Sequence, residues 1–72
     1  MTMHVSHPDQ LKQGKKYALE LRAGSTVVLV EGEFVCLECK GRGSPLVAVF
    51  IDDDGQEHCV PWKEVKRCTR DA

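Results

Sequence analysis

The chain has 72 residues, of which 42% are hydrophobic and 29% are charged, with ten Lys and Arg against eleven Asp and Glu. This length predicts one domain with a thin core, since so short a chain buries only about 60% of its unfolded surface. The net charge of −1 is not typical of a protein held to nucleic acid by bulk charge. Because the sequence shows neither a secretory signal nor a bilayer-spanning apolar run, we expect a cytoplasmic protein that does not contact membranes.

The N-terminal region carries the only helical signal of the chain. Residues 1–5 show no pattern and are expected to be disordered, which leaves a single domain over residues 6–70. Within it, residues 6–14 predict one or two turns of helix, because Pro8 suits a first helical turn and Gly14 can end one.

From Lys15 onward the hydrophobic pattern is that of β-strands. Residues 17–21 alternate apolar and polar side chains, residues 26–30 form a β-branched run, and residues 33–39 continue as a strand after a tight turn at Glu31–Gly32. Alternation with a period of two is typical of a half-buried strand. These segments predict the first three strands of an antiparallel sheet.

The C-terminal half continues in the same way around one strong turn signal. Residues 46–51 are the most apolar run, and the Asp-Gly pair within 53–55 favours a hairpin that returns along residues 56–60. Pro61 stops ladder hydrogen bonding, so residues 61–64 predict a short turn before a last strand at 65–69.

This element order predicts a mainly β fold, namely a small antiparallel barrel of five or six strands with a short N-terminal helical turn. The ending, an Asp-Gly hairpin followed by Val-Pro-Trp-Lys-Glu-Val at 60–65 and a final strand, resembles the closing turn of SH3-like barrels. A helix before a five-stranded meander resembles Sm-like barrels equally well. The two alternatives stay open.

The octet Cys36-Leu-Glu-Cys39-Lys-Gly41-Arg-Gly43 is the stretch whose spacing indicates chemistry. It resembles the Cys-x-x-Cys-x-Gly-x-Gly element of the zinc-binding region of DnaJ-type chaperones, although that region uses several copies and this chain has one. The resemblance implies zinc ligands at Cys36 and Cys39. Cys59 and Cys68 could complete a set of four thiolates, the arrangement of a closed structural zinc site.

The alternative is that the cysteines are packing residues and that the protein has no cofactor. If the strand runs through Cys39, the side chains of Cys36 and Cys39 point to opposite faces and cannot share a metal ion. If the chain turns before Cys39, the two thiols can converge. His58, next to Cys59, could replace it as a ligand.

The sequence contains no phosphate-binding loop and no recognisable catalytic motif, so we expect no enzyme activity. The leading interpretation is a non-catalytic cytosolic binding module, regulatory or adaptor in role, that contacts another protein, with a homodimer through an exposed strand as one form. The alternatives are an RNA- or DNA-binding small barrel and a zinc-stapled, zinc-ribbon-like module. The candidate partner-binding residues are Trp62, Lys40, Arg42, Lys63, Lys66, Arg67 and Arg70.

Overall fold

The computed structural model describes residues 2–39, 41–43 and 46–71, with Asp71 described by its backbone alone. The described residues form one antiparallel sheet of six strands in the order β1-β6-β2-β3-β4-β5. The strands are β1 (Thr2–His4), β2 (Lys16–Ala23), β3 (Thr26–Glu38), β4 (Val47–Ile51), β5 (Glu57–Pro61) and β6 (Val65–Asp71). The expectation of a mainly β fold is therefore confirmed.

The sheet is not closed into a barrel, which corrects the prediction of an SH3-like or Sm-like barrel. The five-residue strand β5 pairs with β4 alone and forms one edge of the sheet. At the other end β1 pairs along β6, with Met3 opposite Arg70. Closure would need β5 to reach that side of the sheet, and β1 already occupies the edge of β6 there.

The N-terminal segment also differs from the prediction. Within the described residues there is no α-helix, and the helical turn expected over 6–14 is replaced by a single 3₁₀ turn at Pro8–Gln10. The Gln10 side-chain oxygen accepts hydrogen bonds from the backbone N–H groups of Ser6 at 2.8 Å and His7 at 3.1 Å. The stretch expected to be disordered includes Thr2–His4, which form β1.

Strand β3 runs without interruption from Thr26 to Glu38, so the turn predicted at Glu31–Gly32 does not form. Gly32 serves a different purpose, which is a close approach between strands. A Cβ atom on Gly32 would lie 2.9 Å from the carbonyl oxygen of Ile51. A glycine inside a strand often marks such an approach rather than a turn.

The core lies on one face of the sheet and is built around Phe50, which is fully buried. The rings of Tyr17 and Phe34 lie against it, with centroids 6.2 Å and 5.6 Å away. The Tyr17 hydroxyl accepts a hydrogen bond of 2.8 Å from the backbone N–H of Lys12, which ties the segment before β2 to the core. The remaining core residues are Leu11, Leu19, Ala48, Val60 and Cys68.

The predicted Asp-Gly hairpin connects β4 and β5, and Asp52 organises it. The N–H of Gly55 donates to the Asp52 carbonyl at 3.0 Å, and the Asp52 carboxylate accepts from the N–H groups of Asp54 and Gln56, both at 2.9 Å. His58 Nε2 lies 2.7 Å from the second carboxylate oxygen. These contacts, the hydrogen bond from His58 first, lower the pKa of Asp52.

Candidate partner-binding surfaces

The first candidate surface is the N-terminal half of β3, residues 26–32. Along this stretch β3 pairs with β2, from Thr26 opposite Ala23 to Gly32 opposite Tyr17. The pairing with β4 begins only at Glu33, opposite Ile51. Within the described part of the chain, residues 26–32 therefore have a strand on one side only, and we call their other side the open edge.

The hydrogen-bond pattern shows which backbone groups face the open edge. Phe34 directs both backbone groups toward the β2 side, because its N–H donates to Lys15 at 2.9 Å and its carbonyl accepts from Gly14 at 3.0 Å. In an antiparallel pair, successive residues direct these groups to alternate sides. Counting back from Phe34 in steps of two, residues 32, 30, 28 and 26 also face β2, so Val27, Leu29 and Glu31 present their N–H and C=O groups to the open edge.

The side chains on the open edge are apolar and exposed. Val27 is 42% exposed, Val28 46% and Leu29 73%. Natural proteins protect unpaired strands with lysine, proline, bulges or covering loops. The stretch Thr26–Gly32 contains neither lysine nor proline, and its pairing with β2 has no register shift. Such a strand is a template for pairing with a further chain.

The second candidate surface is a depression of about 370 Å³ beside the 3₁₀ turn Trp62–Glu64. Its lining contains Trp62, His4, Lys66 and Arg67 and, among the side chains that the structure describes, no acidic one. Trp62 is half-buried, packs against the core and exposes part of its ring to the depression. The structure thus brings together three of the predicted partner-binding residues and adds His4, which β1 supplies.

Arg70, another of the predicted cations, lies apart from this depression. Arg70 lines a separate cleft of about 600 Å³ together with Lys15 and Lys16, and Glu31 and Asp53 also line that cleft. The cleft is therefore mixed in charge, and Lys16 Nζ lies 3.2 Å from the Asp53 carboxylate.

Among the described residues, one cation of the depression is also paired with a carboxylate, and two further predicted cations line neither surface. Arg67 lines the Trp62 depression but its Nε is also 3.3 Å from the Glu20 carboxylate. Lys63 is exposed on the 3₁₀ turn, and Arg42 is exposed in the loop after β3. Lys40 lies outside the described residues. The seven predicted residues thus do not form one continuous patch among those that the structure describes.

The sheet separates one of the predicted metal ligands, Cys68, from Cys36 and Cys59. Cys36 pairs with Val49 and Val49 with Cys59, so the two cysteines flank a valine in one row across three strands. Because Ala48 and Phe50 belong to the core, alternation places Val49 and both cysteines on the opposite face. Cys68 lies in the core, 2% exposed, and burial raises the pKa of its thiol to about 11.

The question raised by the Cys-x-x-Cys spacing also has an answer. Strand β3 ends at Glu38, so the chain leaves the strand before Cys39. Cys36 and Cys39 are both exposed, and the Cys39 thiol lies 3.7 Å from the Gly41 carbonyl. Among the residues described, no three His, Cys, Asp or Glu side chains are grouped so that they could hold a metal ion.

Comparison with known proteins gives no further assignment. No family model matches the chain, and neither does any curated protein or solved structure at the threshold used. In the described part of the chain there is also no helix with the length and apolar character that membrane crossing requires.

The open edge is the feature that the sequence reasoning did not find. The signal is the run Val27-Val28-Leu29-Val30, whose β-branched residues predict a strand but do not indicate which of its sides lacks a partner. A short run of apolar residues is also consistent with a strand buried on both faces, so the run does not by itself indicate an exposed edge. Recognising it required knowing that β4 begins to pair only at Glu33.

Proposed function

We propose that this protein is a non-catalytic binding module that contacts another polypeptide chain through the open edge of β3. The observation that carries the proposal is the unpaired backbone of Val27, Leu29 and Glu31 beside three consecutive exposed apolar side chains. An extended chain can add a strand to such an edge, with affinity from main-chain hydrogen bonds and specificity from alternate side chains.

Two features support a protein partner and a non-catalytic role. The exposed apolar surface suits a polypeptide better than a phosphate backbone, which needs cations. Among the described residues, the buried ionisable side chain with a shifted pKa is Cys68, and burial raises the pKa of its thiol to about 11, which disfavours the reactive thiolate. A cytoplasmic location and a regulatory or adaptor role are parts of the same proposal.

The test compares capture of partners by three forms of the protein. Immobilised wild-type protein, Leu29→Lys and Lys66→Glu are incubated with a lysate of the organism that encodes the chain, and bound proteins are identified by mass spectrometry. We expect a partner that is retained by the wild type and by Lys66→Glu and lost with Leu29→Lys. Lys66 lies in the Trp62 depression, so this variant is the matched control. Equal retention of every partner by all three forms would contradict the proposal.

The depression at Trp62 favours a second candidate function, RNA or DNA binding. A tryptophan beside Lys66, Arg67 and His4, with no acid among the described residues of the lining, has the composition of a site where a base stacks and phosphates are neutralised. Filter binding of a labelled single-stranded oligonucleotide tests this function. Retention that falls steeply with salt and is lost in Trp62→Ala and Lys66→Glu supports it, and no retention at low salt removes it.

The zinc-stapled alternative finds less support in the positions of the cysteines. A closed site needs four converging ligands, and Cys68 lies in the core on the face opposite Cys36 and Cys59. We therefore propose a module without a structural metal. Metal analysis of protein purified without chelator tests this proposal, and one equivalent of zinc per chain would contradict it.

A further inference from the structure

The open edge of β3 is complementary to itself. The seven residues that have a strand on one side only run from Thr26 to Gly32, and their midpoint is Leu29. The Leu29 side chain is 73% exposed, the most of any large apolar side chain described. We propose that the partner at this edge is a second copy of the chain, with the two β3 strands antiparallel about a two-fold axis at Leu29. This inference rests on the proposed function and names its partner.

The backbone groups meet correctly in this register. A two-fold axis at Leu29 places Leu29 opposite Leu29 of the second copy, and Val27 opposite Glu31. These are the three residues whose N–H and C=O groups face the open edge, as the contacts of Phe34 with Lys15 and Gly14 establish. Each opposed pair can exchange two hydrogen bonds, so one interface forms six. A shift of two residues in either direction loses one of the three pairs.

The side chains also match. Val27, Leu29 and Glu31 lie on the same face, since side chains alternate along a strand. The Leu29 side chains of the two copies meet at the axis, where an apolar cross-strand pair stabilises a sheet. The contact would bury the apolar surface that Leu29 leaves to solvent in the single chain.

Charges at the ends of the interface are complementary. On β2, Arg22 lies opposite Val27 and on the same face. In the proposed register Glu31 of the second copy lies on the far side of Val27, in the same row. Arg22 and that Glu31 are then two strand spacings apart, about 9.5 Å, and their long side chains can meet above Val27. The two-fold axis makes this contact twice.

The sequence of the open edge also suits pairing with a second copy, and it differs from the sequences of edges that avoid pairing. The run Thr26-Val-Val-Leu-Val-Glu-Gly32 is rich in residues of high β-propensity, and Glu31 is its single charged side chain. A symmetric interface uses the same surface twice, so one stretch supplies both halves of the contact. The result is one continuous sheet across both copies.

The test begins with the oligomeric state. Sedimentation velocity of the full chain under reducing conditions, from about 1 µM to about 1 mM, is expected to show a reversible monomer–dimer equilibrium. Leu29→Lys places two like charges at the axis and is expected to weaken dimerisation by at least about tenfold. Circular dichroism checks that it folds, as expected for a side chain that is 73% exposed.

Two controls tie the effect to this edge and register. Met3→Lys adds the same charge to β1 at the other end of the sheet, where Met3 is 48% exposed, and is expected to leave the dimer unchanged. Glu31→Arg alone sets two arginines beside each other in each row and is expected to weaken the dimer by about fivefold. Combining it with Arg22→Glu is expected to restore wild-type dimerisation.

The proposal is overturned if the chain stays monomeric over the whole range, if Met3→Lys disrupts the dimer as strongly as Leu29→Lys, or if the charge exchange restores nothing. These outcomes are distinct from failure of the proposed function. A monomeric chain that still captures a different protein, with the capture lost in Leu29→Lys, retains the open edge as a binding site and rejects only the second copy as its occupant.

Discussion

The two halves of β3, residues 26–32 and residues 33–38, have a similar apolar content but different environments. Residues 33–38 pair with β4, and Phe34 is 6% exposed against the core, whereas residues 26–32 lack a second neighbour and Leu29 is 73% exposed. Each half contains four apolar residues. The comparison teaches that the hydrophobicity of a segment does not decide whether its side chains are buried. The face of the sheet also matters, since Leu37 pairs with β4 and is still 37% exposed.

The two halves of β3 meet at Gly32, close to the point where the pairing with β4 ends. There the backbone of Ile51 comes so close that a Cβ atom on residue 32 would contact its carbonyl oxygen. Strand β4 ends at Ile51 and the chain turns into the Asp52 hairpin. The pairing of β3 with β4 thus stops where the Asp52 hairpin begins.

The largest expected effect tests whether the free energy of unfolding depends mainly on the half of β3 that pairs with β4. Phe50→Ala removes a fully buried ring that contacts Tyr17 and Phe34 and is expected to lower the free energy of unfolding by about 3–5 kcal/mol. Leu29→Ala in the other half is the control and is expected to change it by less than about 0.5 kcal/mol. Urea denaturation of dilute monomer measures both. Similar losses in the two variants would break the comparison.

A smaller effect is expected at Gly32, where the two halves meet. Gly32→Ala forces the new methyl group against the Ile51 carbonyl oxygen, 2.9 Å away, and is expected to cost about 1–3 kcal/mol of unfolding free energy. The neighbouring Glu31→Ala, at an exposed position, controls for the change in side chain. If Gly32→Ala were as stable as the wild type, the close approach would not be what separates the halves.

The smallest effect concerns the Asp52 hairpin, where the pairing of β3 with β4 ends. Because the folded-state pKa of Asp52 is lowered from its ordinary value of 3.8, its ionised form contributes stability above that value, and the contribution is lost as the pH falls through the folded-state pKa. Asp52→Asn should lower the urea midpoint at pH 7, and the difference from the wild type should shrink as the pH falls below 3.8 and through the folded-state pKa.

Asp53→Asn is the matched control for this measurement. Asp53 contacts only the exposed Lys16 ammonium among the contacts described, and an exposed pair of this kind contributes little. A pH-independent difference for Asp52→Asn would show that the hairpin depends on the shape of the side chain and not on its charge.

Much of the fold could be predicted from local patterns. The alternation at Tyr17 and Leu19, the Asp-Gly turn and the strand before it all appear in the structure. Glu31–Gly32 was predicted as a turn because a glycine in a strand pattern gives the same local signal in both roles. The sequence also did not predict that the sheet stays open, since this depends on which distant strand occupies the edge of β6.

The candidate sites divide along the same line. Trp62, Lys66 and Arg67 are close in sequence, and the fold keeps them together in one depression. Arg70 belongs to the same basic run but lines the other cleft, with Lys15 and Lys16. The open edge of β3 is defined by where β4 stops pairing, which is a property of long-range register and not of any local motif.

The position of Cys68 provides a built-in reporter of breathing motions. Its thiol is 2% exposed under the pairing of β2 with β6, whereas Cys36, Cys39 and Cys59 are exposed. A thiol reagent at mildly alkaline pH should label three sites at once and reach the fourth only when these strands separate, since the thiolate is the reactive form. The slow phase then measures the opening rate of the sheet centre without any introduced label.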